Sequence, residues 1–242
     1  MSSSAILTFH SLDDSGSVIS YEPAAFERLL EGLAGAHIPV VPLSEVCARP
    51  GSVSLTFDDA FANFHQVALP LLERYRMPAT VFAVTDYCGR DNNWPLQSPR
   101  VPILPLMSWD RLRDAAGRGV TIGSHTLSHP NLAKLDSPGA IRQELRQSRE
   151  RIEQEIGRPV DAFAFPYGGV PAGLAELNES GYRLAVTTEL RYAGPDDHSL
   201  TLPRLDSYYL KNPAVAATLF GRVCRANLGL RHLIRKVRGL GR

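Results

Sequence analysis

The feature that most constrains the fold is a repeated alternation between two kinds of segment. Short apolar, β-branched runs are each followed by a stretch whose apolar residues have helical spacing. Continuous apolar runs are typical of parallel strands that are buried on both faces. The alternation recurs about seven times between residues 5 and 206, which predicts a parallel sheet with crossover helices. For a chain of 242 residues, this length favours a (β/α) barrel of about seven parallel strands.

The predicted strands are residues 5–9, 38–41, 53–57, 79–84, 120–123, 162–165, 182–187 and 201–206. The longest predicted helix begins at Ser137-Pro138, which is a capping residue followed by proline, and ends at Gly157. Residues 86–107 contain four prolines and no clear periodicity, so they predict a long loop. Trp94 lies on that loop; it either binds the flat face of a sugar or packs the loop onto the body.

Composition excludes several classes of protein. A hydrophobic content of 44% and a charged content of 21% are typical of globular chains and argue against global disorder. No apolar run approaches the roughly 20 residues that span a bilayer. Neither a signal peptide nor a disulfide framework is visible, since the three cysteines are well separated. We therefore expect a cytoplasmic location.

The chain ends in a basic segment. No acidic residue follows Asp206, whereas residues 211–242 contain eight basic ones. Because the whole chain carries +1 and this segment carries +8, the part before it carries −7. We predict a catalytic domain over residues 1–210 and a basic amphipathic tail over 211–242, with Gly229 and Gly239 interrupting its helix. Such a tail either lies on an anionic membrane surface or docks on the barrel; no recognition motif supports nucleic acid binding.

Charged and metal-binding side chains follow two of the predicted strands. Asp58 and Asp59 come directly after one strand, and His125 and His129 begin at the end of another. Two histidines four residues apart, together with one carboxylate, can hold one face of a divalent metal and leave other positions open. One aspartate would then bind the metal, and the other would take a proton from the bound water.

Three motifs resemble those of the polysaccharide deacetylase family, which includes the nodulation-type chitooligosaccharide deacetylases. They are residues 56–59 (TFDD), 124–130 (SHTLSHP) and 165–168 (FPYG). The resemblance implies a distorted (β/α) barrel in which Asp59, His125 and His129 bind the metal and Asp58 is the base. It also implies that the backbone N–H of Tyr167 stabilises the oxyanion. By the same resemblance, Pro166, Tyr167 and Gly168 contribute to substrate binding.

The chain departs from the family pattern at three positions. Ala60 replaces the usual glycine after the second aspartate, which is tolerated where φ is negative. Ala164 stands where an arginine normally pairs with the base; Arg204 from another strand end is the proposed substitute, or else a surface residue paired with Asp206. The late histidine that acts as general acid is absent. His10 is the preferred replacement and His198 the weaker one.

These features predict a metal-dependent hydrolase that removes N-acetyl groups from an amino-sugar-containing glycan or a lipid-linked sugar. The expected metal is Zn²⁺, with Co²⁺, Ni²⁺, Mn²⁺ or Fe²⁺ also admissible. Two alternatives stay open: a related C–N hydrolase acting on a formamide or small amide, and a catalytically silent carbohydrate-binding protein. A cytoplasmic enzyme with a membrane-binding tail would work near the inner face of the membrane.

Overall fold

A seven-stranded parallel sheet forms the centre of the protein. The computed structural model describes residues 3–211 and 218–237, and the side chains as far as residue 234. The strands are β1 (Ala5–Phe9), β2 (Ser11–Leu12), β3 (Ser20–Tyr21), β4 (Val53–Phe57), β5 (Ala79–Ala83), β6 (Thr121–Ser124), β7 (Ala162–Ala164), β8 (Leu184–Val186) and β9 (Leu205–Asp206). The main sheet has the order β8-β7-β6-β5-β4-β1-β9, and β2 pairs with β3 in a small parallel ribbon.

The sheet curls because one segment joins its two edges. The backbone of Leu202 exchanges hydrogen bonds with Ala185 and Thr187 in and just after β8, at 2.8 Å each. Three residues further on, Leu205 in β9 pairs with Leu7 in β1. Residues 202–206 therefore link both ends of the sheet, and the predicted barrel of about seven parallel strands is confirmed.

The helices are α1 (Pro23–Gly35), α2 (Leu69–Tyr75), α3 (Trp109–Gly117), α4 (Pro138–Ile156), α5 (Ala175–Glu179) and α6 (Arg222–Val237). A π-helical turn, Phe64–Ala68, precedes α2. Helix α4 has the predicted ends: the Ser137 hydroxyl accepts from the amide of Ala140, and Gly157 adopts φ +71° beyond the last turn. The signals read from the sequence therefore fix both ends of the longest helix.

Strand side chains alternate between two apolar environments. One set faces the helices, as Phe9 and Phe57 do, with ring centroids 5.2 Å apart. The other set fills the barrel interior and includes Phe82, Ala164 and Leu202. Because both faces of each central strand are buried, the strands read as continuous apolar runs in the sequence.

One predicted strand is wrong. Residues 38–41 make only a single bridge, Val40 to Val53, before the chain turns into a 3-10 helix at Leu43–Ala48. Strand β4 already pairs with β1 on one side and with β5 on the other. The bridge lies at the start of β4, on the side that β5 occupies from Leu55 onward. The run therefore joins the sheet at one residue and does not extend into a strand.

The terminal helix docks on the barrel. Leu219, Cys224 and Leu228 are buried and belong to the main core, and Arg225 donates to the Ser3 hydroxyl at 2.9 Å. The prediction that Gly229 interrupts this helix is wrong, since α6 runs through it; Gly239 lies outside the described residues. Among the described residues, no helix is both long enough and apolar enough to cross a bilayer.

Candidate active site

A cavity of about 280 Å³ opens at the carboxyl ends of the strands. His10 follows β1, Asp58 follows β4 and His125 follows β6. Parallel pairing holds these strand ends at one level, since the amide of Asp58 donates to the carbonyl of Phe9 at 2.9 Å. The predicted site residues that line the cavity are His10, Asp58, Asp59, Trp94, His125, His129 and Tyr167. The ends of parallel strands are where barrel enzymes carry their catalytic groups.

Asp59, His125 and His129 form a compact, buried group. One ligand atom from each lies within 4.8 Å of the others. The Oδ1 atom of Asp59 is 3.5 Å from His125 Nε2 and 3.3 Å from His129 Nε2. That oxygen is buried and accepts no hydrogen bond. A buried carboxylate oxygen without a partner is costly unless a cation satisfies it.

The protonation of His125 strengthens this requirement for a cation. Its Nδ1 lies 2.8 Å from the carbonyl oxygen of Ala164. Because a carbonyl only accepts, Nδ1 carries the hydrogen, and Nε2 turns a lone pair toward Asp59. Burial lowers the pKa of His125 to about 4, against the opposing effect of Asp58, so the ring is neutral at pH 7. Two facing lone pairs fit a divalent metal between them, and the three residues therefore suit the predicted ion.

His129 is held by aromatic neighbours. The Trp94 ring lies 4.2 Å from its ring and the Tyr167 ring 4.7 Å, measured between centroids. Its Nδ1 is 3.1 Å from the Tyr167 hydroxyl. Glu144 of α4 supports the turn before it by accepting from the amides of residues 127 and 128, at 2.9 and 3.0 Å. Neighbours of this kind fix the direction in which a ligand histidine points.

The backbone of the site is strained. Residues with positive φ include Asp59 (+68°), Ala60 (+59°), Thr126 (+69°), His129 (+64°) and Tyr167 (+58°). Left-handed backbone costs a residue with a Cβ roughly 1–2 kcal/mol, and such residues cluster at functional sites. The condition given for a ready fit of Ala60, a negative φ, is not met, since the turn keeps the left-handed geometry that suits glycine.

Asp58 is paired with Arg204 inside the barrel. The two terminal nitrogens of the guanidinium donate to the two carboxylate oxygens, both at 2.7 Å, and Nε donates to the carbonyl of Thr187 at 2.9 Å. Arg204 is 1% exposed and lies 6.0 Å above the Phe82 ring. It reaches Asp58 from the segment that closes the barrel; its role in catalysis stays a prediction.

This ion pair keeps Asp58 charged. Burial alone would raise the pKa of the carboxyl group. The charge of Arg204 and its hydrogen bonds, with His125 and His10 nearby, outweigh that effect and hold the pKa well below its ordinary value. The small Ala164 belongs to the same interior cluster as Phe82. The arginine enters the interior from the segment just before β9, whereas Ala164 lies at the end of β7.

The two candidate histidines for the general acid are in different places. His10 lines the cavity, and its Nε2 is 3.9 Å from Asp58 Oδ2. His198 lies on the loop before β9, where its Nδ1 accepts from the amide of Leu200 at 3.2 Å, and it does not line the cavity. The geometry favours His10 over His198, although neither role has been tested.

The expected substrate-binding residues differ in how they meet the cavity. Trp94 is 3% exposed and packs on His129, which agrees with the alternative that it packs the loop onto the body. It also lines the cavity. Tyr167 is 40% exposed at the mouth, whereas Pro166 is buried and does not line the cavity. Gly168 lies so close to the Thr188 side chain that a Cβ on it would be 2.0 Å from Thr188 Oγ1. Contact of these residues with a sugar stays a prediction.

Sequence reasoning missed two supporting residues, Glu144 and Thr188. Glu144 is one of several glutamates on an amphipathic helix, and nothing in its spacing distinguishes it. Thr188 follows β8 and lines the cavity beside Gly168. Thr188 could have been found because it is a polar residue at the end of a predicted strand. The sequence contains no comparable signal for Glu144.

Three comparisons relate the chain to known proteins. The family model described as polysaccharide deacetylase matches residues 45–185, which is more than half of the chain. The chitin deacetylase of Colletotrichum lindemuthianum is 31% identical over 162 residues, 64% of this chain and 58% of that protein. The poly-β-1,6-N-acetyl-D-glucosamine N-deacetylase of Staphylococcus aureus is 25% identical over 163 residues, 64% of this chain and 53% of that protein. The chain thus spans somewhat more than half the length of these curated relatives.

Among solved structures, IcaB from Ammonifex degensii is similar with a TM-score of 0.75 at 20% identity. The alignment covers 90% of this chain and 98% of that one. At this identity the likeness concerns the fold, and it agrees with the curled parallel sheet described above.

Proposed function

The chain belongs to the polysaccharide deacetylase family, as its three motifs predicted, and from this premise we propose that it is a metal-dependent hydrolase. It removes N-acetyl groups from an amino-sugar-containing glycan or a lipid-linked sugar. The observation that carries the proposal is the pairing, in one cavity, of the buried Asp59-His125-His129 group with a separate carboxylate held ionised by Arg204. The relatives named for chitin and poly-N-acetylglucosamine support the substrate class.

Asp59, His125 and His129 would hold the metal, with Zn²⁺ as the proposed ion. A zinc ion there would supply Lewis-acid polarisation of the acetyl carbonyl and would lower the pKa of water. Both histidines turn Nε2 toward Asp59, and their other nitrogens have partners in Ala164 and Tyr167. The chain therefore presents three oriented donor atoms rather than three mobile side chains.

Asp58 is the proposed general base. Held ionised by Arg204, it accepts a proton from the water that attacks the acetyl carbonyl carbon. The negative charge that develops on the carbonyl oxygen is stabilised by the backbone N–H of Tyr167. Arg204 thus keeps Asp58 ionised, and the turn at residues 166–168 positions the Tyr167 N–H, before substrate binds.

His10 is the proposed general acid. When the carbon–nitrogen bond breaks, the leaving sugar amine takes a proton from the imidazolium of His10, and acetate is released. His10 is 3.9 Å from the base that has just received a proton and is about three-quarters buried. The proton that Asp58 took from water can then pass to His10, which restores both groups for the next turnover.

The proposal is tested by assaying acetate release from N-acetylglucosamine oligomers and lipid-linked N-acetyl sugars. Protein loaded with zinc is compared with the same protein after chelation, and bound metal is counted by mass spectrometry. Acetate released by the loaded protein, and lost on chelation, supports deacetylation. Formate release from N-formyl sugars in its place would favour the C–N hydrolase alternative, and sugar binding without any turnover would favour the silent binding protein.

The cytoplasmic location stays a prediction from the sequence. Fractionation of cells that produce the protein, followed by immunodetection in soluble, membrane and extracytoplasmic fractions, tests it. Detection chiefly outside the cytoplasmic membrane would contradict the prediction.

A further inference from the structure

The terminal helix α6 has two apolar stripes on opposite sides. The inner stripe includes Cys224 and Leu228, which are buried against the barrel. On a helical projection, successive residues are 100° apart. A second set of apolar residues then lies on the far side of the helix, within an arc of about 100°. That outer stripe consists of Val223, Leu230, Leu233 and Ile234, which are 72%, 60%, 58% and 41% exposed.

Docking on the barrel does not explain the outer stripe. A surface helix that only covers a core has one apolar face and a polar face toward solvent. Here four large apolar side chains along one side of the helix face solvent, and clusters of that kind mark interaction sites. The body of the protein, as far as the structure describes it, therefore leaves the outer stripe uncovered.

Charge identifies the class of partner. The exposed residues Arg222 and Arg231 lie on either side of the outer stripe on the helical projection, and no acidic residue follows Asp206. An apolar stripe between basic residues is typical of helices that lie in an anionic lipid interface. A second copy of the helix would bring like charges together, and nucleic acid would leave the aliphatic side chains uncovered. We infer that the outer stripe of α6 docks on an anionic lipid surface.

The surface beside this stripe is also aromatic and basic. The guanidinium of Arg231 lies 4.9 Å from the centre of the Tyr209 ring, and the rings of Tyr208 and Tyr209 are 5.3 Å apart. The ammonium of Lys211 lies 5.0 Å from the centre of the Tyr208 ring, which is itself 45% exposed. Tyrosine and lysine are residues that suit the headgroup level of a membrane.

These contacts continue to the mouth of the catalytic cavity. Lys211 Nζ donates to the carbonyl of Ser17 at 3.3 Å. The next residue, Val18, is 58% exposed, and Ile19 lines the cavity. The proposed docking surface thus extends by direct contacts from α6 to the cavity wall.

Vesicle binding by the full chain tests the inference without any use of catalytic activity. Co-sedimentation is measured with neutral phosphatidylcholine vesicles and with vesicles containing phosphatidylglycerol, at low and high salt. Wild type is expected to bind the anionic vesicles, more weakly at high salt. Leu230→Gln with Leu233→Gln should weaken binding at least about twentyfold, and Arg222→Gln about fivefold.

Two controls separate lipid binding from misfolding and from simple charge. Leu230→Met with Leu233→Met keeps an apolar stripe and should bind like wild type. Arg146→Gln removes an exposed charge on α4 and should also leave binding unchanged. All variants should keep the wild-type circular dichroism spectrum and melting temperature, because the replaced side chains are exposed.

The inference is overturned if wild type fails to bind anionic vesicles at low salt, or if the glutamine pair binds as tightly as the methionine pair. It is also overturned if light scattering shows a dimer that the glutamine pair dissociates while wild type ignores vesicles. None of these outcomes depends on deacetylation. A failure of the docking inference and a failure of the proposed activity are therefore distinguishable.

Discussion

Replacing Arg204 by methionine tests the ion pair at the centre of the site. Methionine preserves most of the buried volume but leaves the Asp58 carboxylate without the two 2.7 Å hydrogen bonds that it accepts from the guanidinium. Removing one partner of a buried ion pair costs about 3–5 kcal/mol. For a chain of this size, a loss of that magnitude lowers the melting temperature by about 6–20 °C.

A double-mutant cycle isolates the pair from the rest of the site. Asp58→Asn alone leaves the guanidinium, which is 1% exposed, without its charged partner. The double variant removes both charges at once. We expect it to be at least about 2 kcal/mol more stable than the sum of the two single effects predicts. Arg204→Lys should fall between wild type and Arg204→Met, because lysine keeps the charge but not the planar fork.

The free energies of unfolding are measured by urea denaturation with chelator present, so that metal binding does not enter the comparison. Circular dichroism gives the folded fraction, and equal slopes against urea confirm that the variants unfold in the same way. Additivity within about 0.5 kcal/mol would refute the reasoning, because it would mean that the two side chains do not stabilise each other.

Three further substitutions test other parts of the site. Ala60→Gly should stabilise the protein by about 0.5–1 kcal/mol in urea denaturation, because φ at this position is +59°; destabilisation would contradict the assignment of strain. Gly168→Ala should lower kcat, since the new Cβ would lie 2.0 Å from Thr188 Oγ1. The further change Thr188→Ala should restore part of the lost kcat. An unchanged kcat in Gly168→Ala would show that the turn tolerates a side chain. His10→Gln should lower kcat by about 10²–10⁴ with the melting temperature unchanged, whereas wild-type turnover would exclude it as the acid.

The parts of the structure that follow from local pattern could be predicted from the sequence. Continuous apolar runs identified the strands that end just before Asp58 and His125. Parallel pairing of those strands then predicted that the two side chains lie at one cavity. The caps of α4 were readable for the same reason, because Ser137, Pro138 and Gly157 act on the backbone beside them.

Features that depend on tertiary context were harder to predict. Residues 38–41 have strand-like composition, but they bridge β4 only at Val53, because β5 pairs with that side of β4 from Leu55 onward. Arg204 was named as a candidate partner of Asp58 because it ends a strand, although the sequence left a surface role equally open. The positive φ of Ala60 could not be predicted from its neighbours in the sequence, because it belongs to a turn in which Asp59 and Ala60 both adopt the left-handed conformation.

The central claim is that Asp58 acts as the base beside a metal held by Asp59, His125 and His129. Its most direct test is the rate of acetate release by zinc-loaded wild type and zinc-loaded Asp58→Asn, with bound zinc counted in both. We predict equal zinc content and a loss of about 10²–10⁴ in kcat for Asp58→Asn. Wild-type turnover by Asp58→Asn with full zinc content would contradict the claim, as would the absence of bound zinc from active wild-type protein.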